Sequence, residues 1–223
     1  VGCFLSSGVD SSFVVNEVAK GTPHVKSFSV GYEEEKYSEL PYAEAFSKEI
    51  GVPCITNKVD ADSFFEANKN IQWYLDEPMP NPSEVPLYFL TKNAAKYVKV
   101  VLSGEGADEL FGGYPMYSQA VHFMDYERKV PRAVRRGISG IAKALPDFKG
   151  KHFLVRGGQE HWQRFMRANY VFEDPAERDQ YLKKDYHAKR PEEYFKPYFD
   201  KVKHLDEPTQ LQWVDMHTWM LYD

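Results

Sequence analysis

The sequence predicts an α/β fold: a parallel twisted sheet with helices on both faces, followed by a mostly helical C-terminal part. Three observations predict it. Short apolar runs alternate with helical patterns through the first half of the chain, the pattern of parallel strands joined by right-handed crossovers. Strand signals fade from about residue 118, where Pro131, Pro146, Pro175, Pro191 and Pro208 divide the remainder into short helices. The 223 residues, 43% of them hydrophobic, suffice for a full core. On this reading an α/β core spans 1–117 and a helical extension of the same domain spans 118–223.

The first strand is the apolar run from Val1 to Leu5. It stops at Ser6, Ser7 and Gly8, and Phe13-Val14-Val15-Asn16-Glu17-Val18-Ala19 then marks a helix over 11–20. Further strands are predicted over 25–30, 54–59 and 98–102, with helices over 39–50, 61–75 and 83–96 between them. In the second half, Trp162, Phe165, Met166 and Tyr170 fall at helical spacing, as do Leu211, Val214, Thr218 and Leu221. Both stripes are expected to face a core.

Charge and cysteine usage narrow the function classes. A net charge of −5 argues against a general nucleic-acid binder. Between Arg128 and Arg156 nine Lys/Arg accompany one acid, Asp147, so this stretch carries +8 and the remainder −13. A solvated basic helical face accounts for it, with phosphate or partner docking as the other reading. Cys3 and Cys54 sit in apolar strand-like runs and read as small core residues in a reducing compartment. The seven histidines form no His-x-x-x-His pattern and the cysteines no Cys-x-x-Cys, so no zinc site is indicated. With no run of eighteen apolar residues and no signal peptide, a cytoplasmic protein without a membrane partner is expected. Val1 begins inside a strand pattern and Asp223 ends a helical one without a cap, so the chain is expected to be a piece of a longer protein.

The chemistry concentrates at two strand ends. Strand, tight Ser/Gly turn and helix start make an anion cradle: N–H groups without intrahelical partners converge there, and the helix dipole adds roughly half a positive charge. Ser6, Ser7, Ser11 and Ser12 add hydroxyl donors, and Gly8 lets the backbone come close. Asp10 is repulsive beside a phosphate unless a divalent cation lies between them. The Walker string Gly-x-x-x-x-Gly-Lys-[Ser/Thr] does not occur. The segment resembles instead the pyrophosphate loop, Ser-Gly-Gly-x-Asp-Ser, of enzymes that cleave ATP to AMP and pyrophosphate. Ser7 stands at that loop's first glycine; if the position needs φ > 0, the substitution costs about 1 kcal/mol.

The fourth predicted strand runs into Leu102-Ser103-Gly104-Glu105-Gly106-Ala107-Asp108-Glu109-Leu110-Phe111-Gly112-Gly113-Tyr114. Taken alone, its three acids fit a helix start or a cation site. The run resembles the signature of the synthetase domain of glutamine-hydrolysing asparagine synthetase. Phe28-Ser29-Val30-Gly31, Tyr74-Leu75-Asp76-Glu77-Pro78, Pro82-Ser83 and Pro86 are similar to the same family in the same order. The likeness is dense over 1–117 and loose beyond.

The resemblance implies an adenine nucleotide α-hydrolase-like fold and ATP-dependent conversion of aspartate to asparagine through β-aspartyl-AMP. It places Ser6, Gly8, Asp10, Ser11 and Ser12 on the pyrophosphate, and Leu5, Val30, Ser103 and Gly104 on the adenosine. Asp10 and Asp108 become Mg²⁺ ligands, and Glu105 the acid that stabilises the attacking amine or accepts its proton. Aspartate and ammonia are the implied substrates. An N-terminal glutaminase domain supplies the ammonia in that family, a homodimer is expected, and a lysine segment that serves the α-phosphate would lie beyond Asp223. The fragment alone is therefore expected to make no asparagine. Three other readings stand beside this one: a β-lactam synthetase or other carboxylate-adenylating amide ligase, a tRNA-thiolating or NAD-synthesising pyrophosphatase, and a nucleotide-binding module that has lost catalysis.

Overall fold

Strand β1 (Gly2–Phe4) pairs in parallel with β2 (Lys26–Tyr32) on one side and with β4 (Val101–Leu102) on the other. β2 pairs in parallel with β3 (Cys54–Val59), so the sheet runs β3-β2-β1-β4. The computed structural model describes residues 1–75, 81, 83–165, 180–181, 183 and 191–222. Asp76, Glu77, Pro78, Pro82, Met166, Tyr170, Pro175 and Asp223, singled out above, lie outside the described residues. Two compact units are present, Val1–Glu105 and Gly106–Asp223.

The first unit is the α/β part. Paired residues of neighbouring strands share a face, so Cys3, Ser27 and Cys54 point one way and Phe4, Phe28 and Ile55 the other. Helices α1 (Val9–Gly21) and α2 (Leu40–Glu49) cover the first face, where Val15 and Ala43 join Cys3, Leu5 and Val25 in a buried cluster. Burial pushes the Cys3 thiol above its usual range, and both cysteines are free, as their apolar settings predicted. On the other face, α4 (Glu84–Ala94) packs on β2 and β3, and Tyr97 just beyond it meets the Phe28 ring at 5.9 Å. Helix α3 (Ala61–Tyr74) packs on α4 through Ala67, Ile71 and Val85. Its N-cap is Asp60, whose carboxylate accepts the Ser63 N–H at 2.8 Å; that bond holds the Asp60 carboxyl below the usual range.

Two of the boundaries that differ from the sequence reading have a local cause. β4 keeps only the last two residues of 98–102, because the Val98 N–H is bound by the Ala94 carbonyl at 3.0 Å in the turn that ends α4. Pairing starts where the Gly2 N–H reaches the Val100 carbonyl at 2.9 Å. α1 starts at Val9 rather than 11, since Gly8 already accepts the Ser12 N–H at 3.2 Å.

The second unit shows helices and no strand among its described residues. They are α5 (Ala107–Phe111), α6 (Pro115–Lys129), α7 (Arg132–Ala144), α8 (Lys151–Gly157), α9 (Pro191–Lys201), α10 (Glu207–His217) and α11 (Trp219–Tyr222). Pro131 caps α7, Pro191 opens α9 and Pro208 lies in the first turn of α10, the positions that tolerate a missing N–H. Tyr117, Ala120, Phe165, Phe199, Leu211 and Val214 form the core. The stripe of Leu211, Val214 and Thr218 is buried, but Leu221 is exposed: the helix breaks at Thr218 (φ −128°, ψ −73°), which turns the next residues off that face. Trp162 and Phe165 belong to a 3₁₀ turn, His161–Arg164, and its end, rather than to an α-helix. No described helix is long and apolar enough to cross a membrane.

The basic stretch 128–156 is largely used inside this unit. Arg135 is buried and donates to Glu127 at 3.0 Å and to the Gly157 carbonyl at 2.6 Å. Arg132 pairs with Glu160 at 2.5 Å and Arg128 with Asp125 at 2.8 Å. Beyond the stretch, Arg164 donates to the same Glu127 oxygen at 2.8 Å and to both oxygens of Glu207 at 2.9 and 3.1 Å. Burial pushes the Glu207 carboxyl above the usual range, against the pull of Arg164.

Arg164→Met should therefore lower stability by about 3–5 kcal/mol, because it strands a buried carboxylate, while Arg164→Met combined with Glu207→Leu should recover part of the loss. A raised carboxyl pKa means that the folded state takes up its proton more readily than the unfolded chain. The Glu207 contribution is thus complete below its unfolded pKa and is lost as pH rises through the folded one. In the single variant the deficit should shrink as pH falls from neutral toward the carboxylate range. Urea midpoints of the three proteins across that window are the check; a deficit that ignores pH would contradict the assignment.

Candidate functional site

Chain order along the sheet reverses beside β1: β2 and β3 extend to one side and β4 lies on the other. Crevices for ligands open outside the carboxyl ends of strands at such a switch. Both motifs emerge there, Ser6–Gly8 after β1 and Ser103–Glu105 after β4.

The loop after β1 is held by its own hydroxyls. The Ser11 hydroxyl donates to the Gly8 carbonyl at 3.2 Å, so its oxygen accepts from the Ser6 N–H at 3.1 Å and from the Ser6 hydroxyl at 2.8 Å. The Ser6 oxygen in turn accepts the Gly8 N–H at 3.1 Å. This ring fixes the backbone ahead of α1, and its N-cap Gly8 adds no side-chain cap. Ser7 needs no left-handed backbone: among the described non-glycine residues only His24 has positive φ. The cost raised for a serine at that position therefore does not arise.

The loop after β4 lies directly on this turn. A Cβ on Gly104 would stand 2.8 Å from the Ser11 nitrogen and 3.0 Å from the Asp10 carbonyl carbon, so only glycine permits the contact. Ser103 Oγ accepts the Glu105 N–H at 3.3 Å and shapes the turn.

Between these loops and α4 the first unit holds a cavity of about 530 Å³, within the usual range for small-molecule sites. Leu5, Ser6, Gly8, Asp10, Ser11, Val30, Ser103, Gly104 and Glu105 line it, so nine of the sequence-selected residues are brought together. Ser12 is not among its lining residues. Asp108 belongs to the second unit, in the first turn of α5, with its carboxylate against Gly113. The wall also contains Tyr32, Tyr37, Glu39, Leu87 and Leu90, which the sequence reading missed. Tyr32 ends β2 and Glu39 follows it, another strand whose carboxyl end faces the crevice, and that placement was the signal available.

The wall is apolar at Leu5, Val30, Leu87 and Leu90 and carries carboxylates at Asp10, Glu39 and Glu105, with no Lys, Arg or His among its described residues. An apolar slot beside loop amides suits a flat base with a polyanionic tail. Among the described residues no group of three or more His, Cys, Asp or Glu could hold a metal ion.

An asparagine synthase family model matches residues 1–223. The chain is 35% identical over 225 residues to asparagine synthetase (glutamine-hydrolyzing) 1 of Bacillus subtilis, covering 100% of this chain and 35% of that protein. It is also 35% identical over 231 residues to a Mycobacterium tuberculosis protein named "Putative asparagine synthetase (glutamine-hydrolyzing)", covering 100% of this chain and 34% of that protein. The chain thus spans about a third of the length of these curated relatives.

The contact between the loops makes a direct expectation. Gly104→Ala should cost about 1–3 kcal/mol, because the atoms in its way are backbone of the first turn of α1 and cannot rotate aside. Gly21→Ala, with nothing within 4 Å of the added Cβ, should be neutral or slightly stabilising. Equal denaturation midpoints for the two variants would dismiss the contact as a constraint.

Proposed function

The chain belongs to the asparagine synthase family, and from that premise we propose that it forms the synthetase part of an ATP-dependent, glutamine-hydrolysing asparagine synthetase. The observation that carries the reading is the cavity on which the hydroxyl-braced loop after β1 and Ser103-Gly104-Glu105 after β4 converge. Leu5 and Val30 offer the adenine an apolar slot, with Ser103 and Gly104 at its edge. Ser6, Gly8, Ser11 and Ser12 frame the turn that takes the pyrophosphate.

In the reaction, a side-chain carboxylate oxygen of aspartate bonds to the α-phosphorus of ATP as the bond to pyrophosphate breaks, giving β-aspartyl-AMP. Ammonia then attacks the acyl carbon, the bond to the AMP oxygen breaks, and the amine loses a proton. Such phosphoryl-type transition states ask mainly for alignment and charge neutralisation, which a pre-braced loop supplies without reorganising. Glu105 stabilises the attacking amine and accepts its proton. Asp10 and Asp108 are the carboxylates that would hold a Mg²⁺, which would neutralise phosphate charge. The ammonia comes from glutamine through an N-terminal glutaminase domain of the whole protein. Two free cysteines suit a cytoplasmic setting.

In the whole protein, Asp10→Asn and Asp108→Asn should each raise the Mg²⁺ concentration needed for ATP–pyrophosphate exchange. Glu105→Gln should lower asparagine formation by about 10²–10⁴-fold, with a smaller effect on exchange. Exchange titrated against Mg²⁺, alongside asparagine produced from aspartate, ATP and ammonium, tests both. An unchanged metal requirement in both aspartate variants would remove the ligand assignment, and undiminished amidation in Glu105→Gln would remove the proton acceptor.

A further inference from the structure

Glu39 stands immediately before α2, at its N-cap, and its side chain makes no capping bond to that helix. Its Oε2 instead accepts the Ser7 N–H at 3.2 Å. The neighbouring Ser6 and Gly8 amides are satisfied by the loop's own hydroxyls, so Ser7 is the member of that triplet whose N–H meets a charged acceptor. The position of Glu39 is not incidental. A Cβ on Gly31 would lie 2.5 Å from Leu40 Cγ, so the glycine lets the start of α2 press onto β2, and Leu40 is buried there. The Glu39 side chain itself is exposed and lines the cavity, as Asp10 does.

We propose that Glu39 is the resident acceptor of the pyrophosphate loop: in the ligand-free protein its carboxylate takes the place of one phosphate oxygen on the Ser7 N–H, and pyrophosphate displaces it on binding. This rests on the reading of that loop as the pyrophosphate site. An amide aimed at an anion is then never left without one, and the loop keeps its bound shape between turnovers. The same carboxylate competes with the departing pyrophosphate. When the product loosens, Glu39 recaptures the Ser7 amide and adds like-charge repulsion, so release is assisted where binding was opposed. Glu39 is a positioning residue on this account; it touches no reacting atom.

The test is the affinity of the whole protein for inorganic pyrophosphate in excess Mg²⁺, by titration calorimetry, for the parent, Glu39→Gln and Glu39→Ala. A residue that merely braced the loop would weaken binding when removed. A competing anion does the reverse: both variants should bind about three- to tenfold more tightly, and the gain should shrink as salt rises and screens the exposed carboxylate. Binding by Glu39→Gln that equals or falls below the parent's would overturn the proposal and leave the loop as the pyrophosphate site. Failure of all three proteins to bind pyrophosphate would overturn both.

Discussion

Where Gly104 lies on Asp10 and Ser11, two segments far apart in sequence meet backbone to backbone, and the candidate site depends on that contact. It follows from sheet register. Cys3 stands opposite Leu102 across a parallel pair, so both strands end at the same level and their loops leave the sheet side by side. A parallel sheet spends its connections on crossovers and keeps its carboxyl ends free. Here the reversal of strand order puts those two free ends next to each other, and the absence of one Cβ lets them close.

Most of the α/β half was legible because its signals are local. Apolar runs bounded by turn residues located all four strands, and the helices between them fell within a few residues of expectation. The strand over 98–102 was overcounted because Val98 looks like a strand residue, while its N–H is claimed by the turn that ends α4. Leu221 was misjudged for a related reason: periodicity assumes that a helix continues, and Thr218 stops it. The contact of Glu39 with Ser7 was invisible in sequence, because the two lie thirty-two positions apart and which carboxylate a loop amide faces is set by tertiary structure.

The helical half was less legible, since its arginines read as a surface feature. A run of positive charge carries no record of the acids that fold back onto it. Glu127 and Glu160 lie outside or at the edge of the run, and they turn Arg135, Arg132 and Arg136 into internal cross-links. Arg164 stacks its guanidinium 4.5 Å from the Phe123 ring while it pairs with Glu207, so it bridges apolar and ionic packing at one point. Composition counts such groups; only tertiary structure assigns them.

The cavity wall carries three carboxylates and, among its described residues, no cationic side chain. From a distance such a wall presents a barrier, not a funnel, to a free polyanion. On the proposed reading of the cavity as an ATP site, encounter with this face would favour nucleotide that arrives already paired with its counter-cation, and added salt would hasten capture by this wall where it slows capture by a basic one. Selection between free and metal-bound nucleotide would begin at the approach, before any loop amide has made a bond.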